Sequence, residues 1–168
     1  MNKIFLSLII LGLSFTLQAQ DPQPDTFKKV VNAEQFEALV NKTDDVLYVV
    51  NFWATWCGPC VEELPDFMAV NKKFASNKNF KMLLISLDNA RVLNDEVRPF
   101  LNKHKITADV YLLDDIKRMN YWMPRVDKSW SGSIPATVFY KNGKKLQFVE
   151  KQLHEKELTT IINQYIQL

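Results

Sequence analysis

Cysteine is scarce in this chain, with two among 168 residues, and the two stand only three positions apart. A small domain stapled by disulfides needs more cysteines at longer separations, so that class is excluded and the pair points to chemistry or to half of a metal site. Charge of one sign is scarce too. Lysine and arginine number 21 against 19 aspartates and glutamates, a formal charge of +2, too balanced for a protein that works by coating phosphates, and nucleic acid is not an expected partner. Histidine occurs twice, at His104 and His154, single and widely spaced, which argues against a zinc site completed by Cys57 and Cys60 and leaves both histidines as surface residues. No internal repeat or low-complexity block interrupts the chain, and its 47% hydrophobic, 24% charged content is that of an ordinary globular domain.

The longest apolar run lies at the start. Met1, Asn2 and Lys3 give a short positive beginning, residues 4–17 are mostly apolar, and Leu17-Gln18-Ala19 closes the run with a small residue. This pattern predicts a secretory signal peptide over residues 1–20, cut after Ala19 or Gln20, because the run falls short of the roughly 20 apolar residues a transmembrane helix needs. If uncleaved it would serve as a membrane anchor. No cysteine follows it, so a lipid-modified N-terminal cysteine is excluded. An exported, periplasmic chain meets an oxidising compartment, where its thiols pair unless something keeps them reduced.

Residues 21–29, with Pro22 and Pro24, read as a flexible leader, although residues 26–31 also have the pattern of a short edge strand. The domain proper is expected over residues 30–168. Phe36, Leu39 and Val40 recur at helical spacing within residues 33–41. Residues 46–54 and 80–87 are apolar on both faces, as in strands at the middle of a covered sheet. A helix is expected from Cys57 to about Ala75, kinked at Pro65, and another over residues 92–104 with Pro99 as a breaker. Residues 109–113 form a third short strand, followed by a helical turn around residues 117–122 and a loop after Pro124. Residues 136–140 and 146–149 flank Asn142-Gly143, a pair that tolerates positive φ and so predicts an antiparallel hairpin. Leu158, Ile161, Ile162, Tyr165 and Ile166 line one face of a final helix. Strands separated by helical crossovers and followed by a hairpin define an α/β sandwich with a central mixed sheet flanked by helices.

The chemistry is concentrated in Asn51-Phe52-Trp53-Ala54-Thr55-Trp56-Cys57-Gly58-Pro59-Cys60. A Cys-x-x-Cys where a strand ends and a helix begins sets its first sulfur against free backbone N–H groups at the positive end of the helix dipole, which favours the thiolate that attacks disulfides. Cys60, one turn on, is near enough to close a disulfide with Cys57 and release what Cys57 has captured. Gly58 and Pro59 suit a first turn, where proline has no intrahelical N–H to lose. Peroxiredoxin chemistry needs Pro and Thr seven and three residues before a cysteine, and Val50 and Ala54 stand there for Cys57. Trp53 is expected in the core, whereas Trp56 and Trp130, beside the motif and beside Ser129, Ser131 and Gly132, are candidates for a client groove.

These residues resemble the thioredoxin superfamily: Trp56-Cys57-Gly58-Pro59-Cys60, the preceding Phe52-Trp53-Ala54, and Ser133-Ile134-Pro135 before the hairpin. Within it the run Asn-Phe-Trp-Ala-Thr-Trp-Cys-x-x-Cys-x-x-Glu-x-Pro from Asn51 to Pro65 is similar to the TlpA-like and ResA-like exported thiol-disulfide oxidoreductases. The resemblance implies a thioredoxin-like sandwich with an α/β insert at residues 93–113, and no cofactor or metal. It implies a cis Ile134-Pro135 peptide facing the sulfurs, with Trp56, Gly58, Pro59, Ile134 and Pro135 binding substrate. Partners would be disulfide-containing client proteins, a cytochrome c precursor being one such client, and a membrane thiol donor that re-reduces the site. The Gly58-Pro59 pair is thioredoxin's own, which implies a reductant, thioredoxin lying near about −270 mV. One departure stands out. Thioredoxins carry a buried Asp where this chain has Asn51, and an amide takes no proton at neutral pH. The resemblance then points to Glu63, three residues after Cys60 and on the same helix face, as the group that handles the Cys60 proton. A redox-gated client-binding protein is the rival reading.

Overall fold

The computed structural model describes residues 25–167, so the expected signal segment lies outside the described residues. The elements are β1 (Phe27–Val31), α1 (Ala33–Val40), β2 (Leu47–Trp53), α2 (Gly58–Phe74), β3 (Phe80–Ser86), α3 (Arg98–Lys103), β4 (Asp109–Leu113), α4 (Met119–Val126), β5 (Ala136–Lys141), β6 (Lys144–Val149) and α5 (Glu155–Ile166). The six strands form one sheet in the order β1-β4-β3-β2-β5-β6. The first four run parallel and β5 and β6 run antiparallel to their neighbours, giving the expected mixed sheet.

Alternation along the strands divides the core into two layers. Leu47, Val49 and Trp53 of β2 join Leu64, Phe67 and Val70 of α2, Leu101 of α3 and Leu158, Ile161 and Ile162 of α5 on one face. Tyr48, Val50 and Phe52 join Phe36 and Val40 of α1 and Trp122 and Val126 of α4 on the other. Every residue of β2 is buried, because both faces of this central strand are covered by helices. A cysteine pair at the C-terminal end of β2 is therefore held by the most constrained strand of the sheet.

Local chemistry accounts for the boundaries. Asn32 caps α1 by accepting from Gln35 N–H while the Gln35 side chain accepts from Asn32 N–H. The hairpin turns on Asn142 (φ 52°) and Gly143 (φ 67°), two residues in the left-handed region as a two-residue turn requires.

Three expectations are corrected. The sheet begins at Phe27, paired with Val110, so residues 27–29 belong to an edge strand and not to the leader. The stretch 92–104 is not one helix but a 3-10 turn (Ala90–Val92), a wide π turn (Leu93–Val97) and then α3. Pro99 stands where the π turn passes directly into α3, with Val97 and Arg98 already helical before it, so its missing N–H falls where the hydrogen-bond pattern changes. Pro124 lies inside α4, which runs on to Val126 because Trp122 and Val126, one turn apart, are both buried. Pro65 likewise lies within α2. Among the described residues no helix is long and apolar enough to cross a membrane.

Candidate active site

Cys57 is the N-cap of α2: its backbone is extended (φ −89°, ψ 100°) and its sulfur accepts from Cys60 N–H at 3.3 Å. The two sulfurs are joined in a disulfide. Cys60 is fully enclosed and Cys57 keeps 6% of its surface, so the cysteine at the helix start is the less enclosed of the two. The approach to Cys57 is walled by the loop before β5. The Ile134-Pro135 peptide is cis, as the resemblance implied, and the Ile134 carbonyl oxygen lies 3.6 Å from Cys57 Sγ. Trp56 is 69% exposed beside it.

The loop between β2 and α2 is braced from β3. Thr55 donates its hydroxyl to Asp88 Oδ1 at 2.6 Å and its N–H to Asp88 Oδ2 at 3.1 Å, and Ser86 donates its hydroxyl to Asp88 Oδ2 at 2.7 Å. Asp88 is 1% exposed, and these donors replace the water such a carboxylate would otherwise need.

Glu63, on α2 one turn beyond Cys60, is fully buried and not a solvated helix residue. Its Oε1 accepts from Asn51 Nδ2 at 2.7 Å and its Oε2 from Leu153 N–H at 2.9 Å. Asn51 also donates to Thr137 Oγ1 at 3.1 Å, across the β2–β5 ladder, while Asn51 Oδ1 has no partner among the described residues. Burial pushes the Glu63 carboxyl up to about 7. The Leu153 amide, the Asn51 side chain and the charge of His154 oppose this rise, and Asp66 adds to it. A carboxyl in that range exchanges its proton near neutral pH. Asn51, which carries no titratable group, thus partners the residue that does. When Glu63 is protonated its O–H needs an acceptor, and Asn51 Oδ1 meets that need after a flip of the amide.

Gly58 and Pro59 occupy the first turn of α2, and Pro59's carbonyl accepts from Gln152 Nε2 at 2.8 Å. Trp130, expected in the groove, is instead 7% exposed. It packs on Phe52 (ring centroids 4.7 Å), Trp122 (5.7 Å) and Phe148 (5.8 Å), with its indole N–H donating to Ser133 O. Its small neighbours let the chain fold over the ring, and π surface of that size packs in the core when such a site exists. Beside Trp56 lies a pocket of about 190 Å³ lined by Leu87, Leu113, Ile116, Met119, Trp122 and Ile134 among others, with no charged side chain in its walls. His104 stacks on Phe100 and His154 pairs with Asp66, each away from the sulfurs' own contacts. Sequence reasoning missed Asp88, Thr137 and Leu153, for none belongs to a local motif. It also missed the pocket, whose walls come from four separate segments.

Comparison with known proteins agrees with this fold. The thioredoxin family model matches residues 27–99. The thioredoxin of Gallus gallus is 31% identical over 134 residues, which cover 80% of this chain and 94% of that protein. The sporulation thiol-disulfide oxidoreductase A of Bacillus subtilis is 27% identical over 113 residues, 65% of this chain and 66% of that one. The crystal structure of a thiol:disulfide interchange protein of the thioredoxin family from Chlorobium tepidum TLS superposes with a TM-score of 0.60 at 23% identity, covering 73% of this chain and 81% of that chain, and shows the shared fold. This chain spans 54% of the thioredoxin-like protein YneN of Bacillus subtilis, so it matches little more than half of that relative.

Proposed function

The chain belongs to the thioredoxin family, and from that premise we propose that it is a thiol-disulfide oxidoreductase acting as a reductant of exported, disulfide-containing client proteins. The observation that carries the reading is the Cys57–Cys60 disulfide capping α2, with Cys57 the less enclosed of the two and, three residues along the helix from Cys60, the buried Glu63 with its carboxyl pushed up to about 7. In the reduced enzyme the Cys57 thiolate attacks one sulfur of the client disulfide. A mixed disulfide forms and the client's other sulfur leaves as a thiolate. Cys60 then gives up its proton, its thiolate attacks Cys57 Sγ, and the client departs with its second thiolate. Two electrons have passed to the client and the closed Cys57–Cys60 disulfide remains. Glu63 accepts the Cys60 proton, the role a carboxylate at position 51 would otherwise fill. Trp56, Ile134, Pro135 and the first turn with Gly58 and Pro59 receive the client chain, and Asp88 keeps the Thr55-Trp56 segment in place.

The same reading makes residues 1–20 a signal peptide, puts the enzyme in the periplasm and requires a membrane thiol donor to return it to the dithiol. It involves neither nucleic acid nor a metal. A redox-gated client-binding protein is favoured by one observation, the uncharged pocket beside Trp56. Insulin reduction separates the two. The wild-type protein is expected to catalyse it, Cys57→Ala to abolish it, and Cys60→Ser to accumulate a mixed disulfide on Cys57. Client binding without turnover in the wild type would support the second reading.

A further inference from the structure

We propose that Glu150 is a positioning residue for the client loop: its carboxylate fills an anion-binding nest formed by Ser131, Gly132 and Ser133 and so fixes Ile134 and Pro135 against the disulfide. The nest is visible in the hydrogen bonds. Glu150 Oε1 accepts from Ser131 N–H at 3.1 Å, from Ser133 N–H at 3.1 Å and from the Ser131 hydroxyl, while Oε2 accepts from Ser131 N–H at 3.1 Å. Gly132, between the two serines, has φ +98°, a conformation that lets the flanking N–H groups converge on one acceptor. Among the described residues no lysine or arginine forms an ion pair with Glu150, so backbone and hydroxyl donors are its partners and not a surface countercharge. Burial raises the Glu150 carboxyl, but the serine hydroxyl and the two amides outweigh it and hold the group below its ordinary value, an anion at neutral pH.

Both ends of the nest are tied to the site. Ser133 O accepts from the Trp130 indole at 2.8 Å, which roots the loop in the aromatic core, and the next residue is Ile134, whose carbonyl faces Cys57 Sγ. The connection from β6 to α5 that begins with Glu150 also grips α2: Gln152 donates to Pro59 O at 2.8 Å and Leu153 N–H to Glu63 Oε2 at 2.9 Å. One short segment therefore holds both walls of the cleft in which the disulfide sits. A client chain that lies along Ile134 meets a loop already ordered, and the entropy of ordering it is not charged to binding.

The inference rests on the oxidoreductase reading for its client, and two measurements keep their failures apart. In the oxidised protein, amide hydrogen exchange at Ser131 and Ser133 should accelerate roughly tenfold to hundredfold in Glu150→Ala, the worth of hydrogen bonds to a charged acceptor, and by less in Glu150→Gln, which keeps one acceptor oxygen. In insulin reduction both variants should raise KM, Glu150→Ala by roughly tenfold, with kcat within about twofold, while turnover of the small disulfide 5,5′-dithiobis(2-nitrobenzoate), which needs no chain docking, stays unchanged. Should Glu150→Ala fail to fold, Glu150→Gln alone decides. Unaltered exchange at both serines overturns the nest, and a loss of kcat on both substrates with KM constant overturns the positioning role. If the wild type reduces no insulin, the enzymatic reading and the client role fall together, and the exchange rates still decide whether Glu150 organises the loop.

Discussion

Replacing Glu63 with Gln should make the oxidised protein more stable, and only above a definable pH. In the fold the Glu63 carboxyl rises from an ordinary 4.5 to about 7, chiefly because burial penalises its charged form. Between those two values the folded chain binds a proton that the unfolded chain has released. Its stability therefore falls by about 1.4 kcal/mol for each pH unit in that window. The favourable contribution is complete below about 4.5, where the group is neutral in both states, and is lost as pH rises through about 7. Over the whole window the loss is about 3 kcal/mol. Gln at this position cannot ionise. Its oxygen can accept from Leu153 N–H while its amide donates to Asn51 Oδ1, now without a partner, after the Asn51 side chain flips. Urea unfolding of the oxidised wild type and Glu63→Gln should thus give free energies within about 1 kcal/mol at pH 4 and about 3 kcal/mol apart, with Gln the more stable, at pH 8.5. A difference that stays flat across this range would refute the reasoning, for it would mean that Glu63 ionises at its ordinary value in the fold as well. The same substitution should slow client release near neutral pH, so stability and turnover should move in opposite directions.

Other consequences follow from single contacts. In the reduced protein Cys57 should alkylate before Cys60, as mass spectrometry of partly modified chains will show, because Cys60 is enclosed and Cys57 caps the helix; a faster Cys60 would contradict the assigned order of attack. Gly143→Ala should destabilise the hairpin by about 1–2 kcal/mol in urea unfolding, since Gly143 sits at φ +67° and an added Cβ would stand 2.9 Å from Asn41 Oδ1. Trp130→Ala should cost about 3–5 kcal/mol of stability, the cost of an aromatic core cavity; a cost under 1 kcal/mol would return Trp130 to the groove.

The sequence by itself determined what is local. Apolar runs on both faces placed β2 and β3 in the middle of the sheet, Asn142-Gly143 marked the hairpin, and the spacing of Cys57 and Cys60 at a strand-to-helix junction marked the redox pair. Each of these signals is carried by neighbours in the chain, where backbone geometry alone decides which residues meet. Glu63 was legible only in part. Helix spacing put it behind Cys60, but its burial and its partners depend on Asn51, twelve positions away, and on Leu153, ninety positions away. Trp130 read as a groove residue because its neighbours are small and polar, and only packing against Phe52, Trp122 and Phe148 drew it into the core. Proline misled at Pro124, since its cost depends on whether buried side chains hold the helix together across it. The tertiary structure decided the electrostatics of the site. A carboxylate takes its proton affinity from the donors and the solvent around it, and for Glu63 and Glu150 those donors arrive from strands and loops that only the folded sheet brings together.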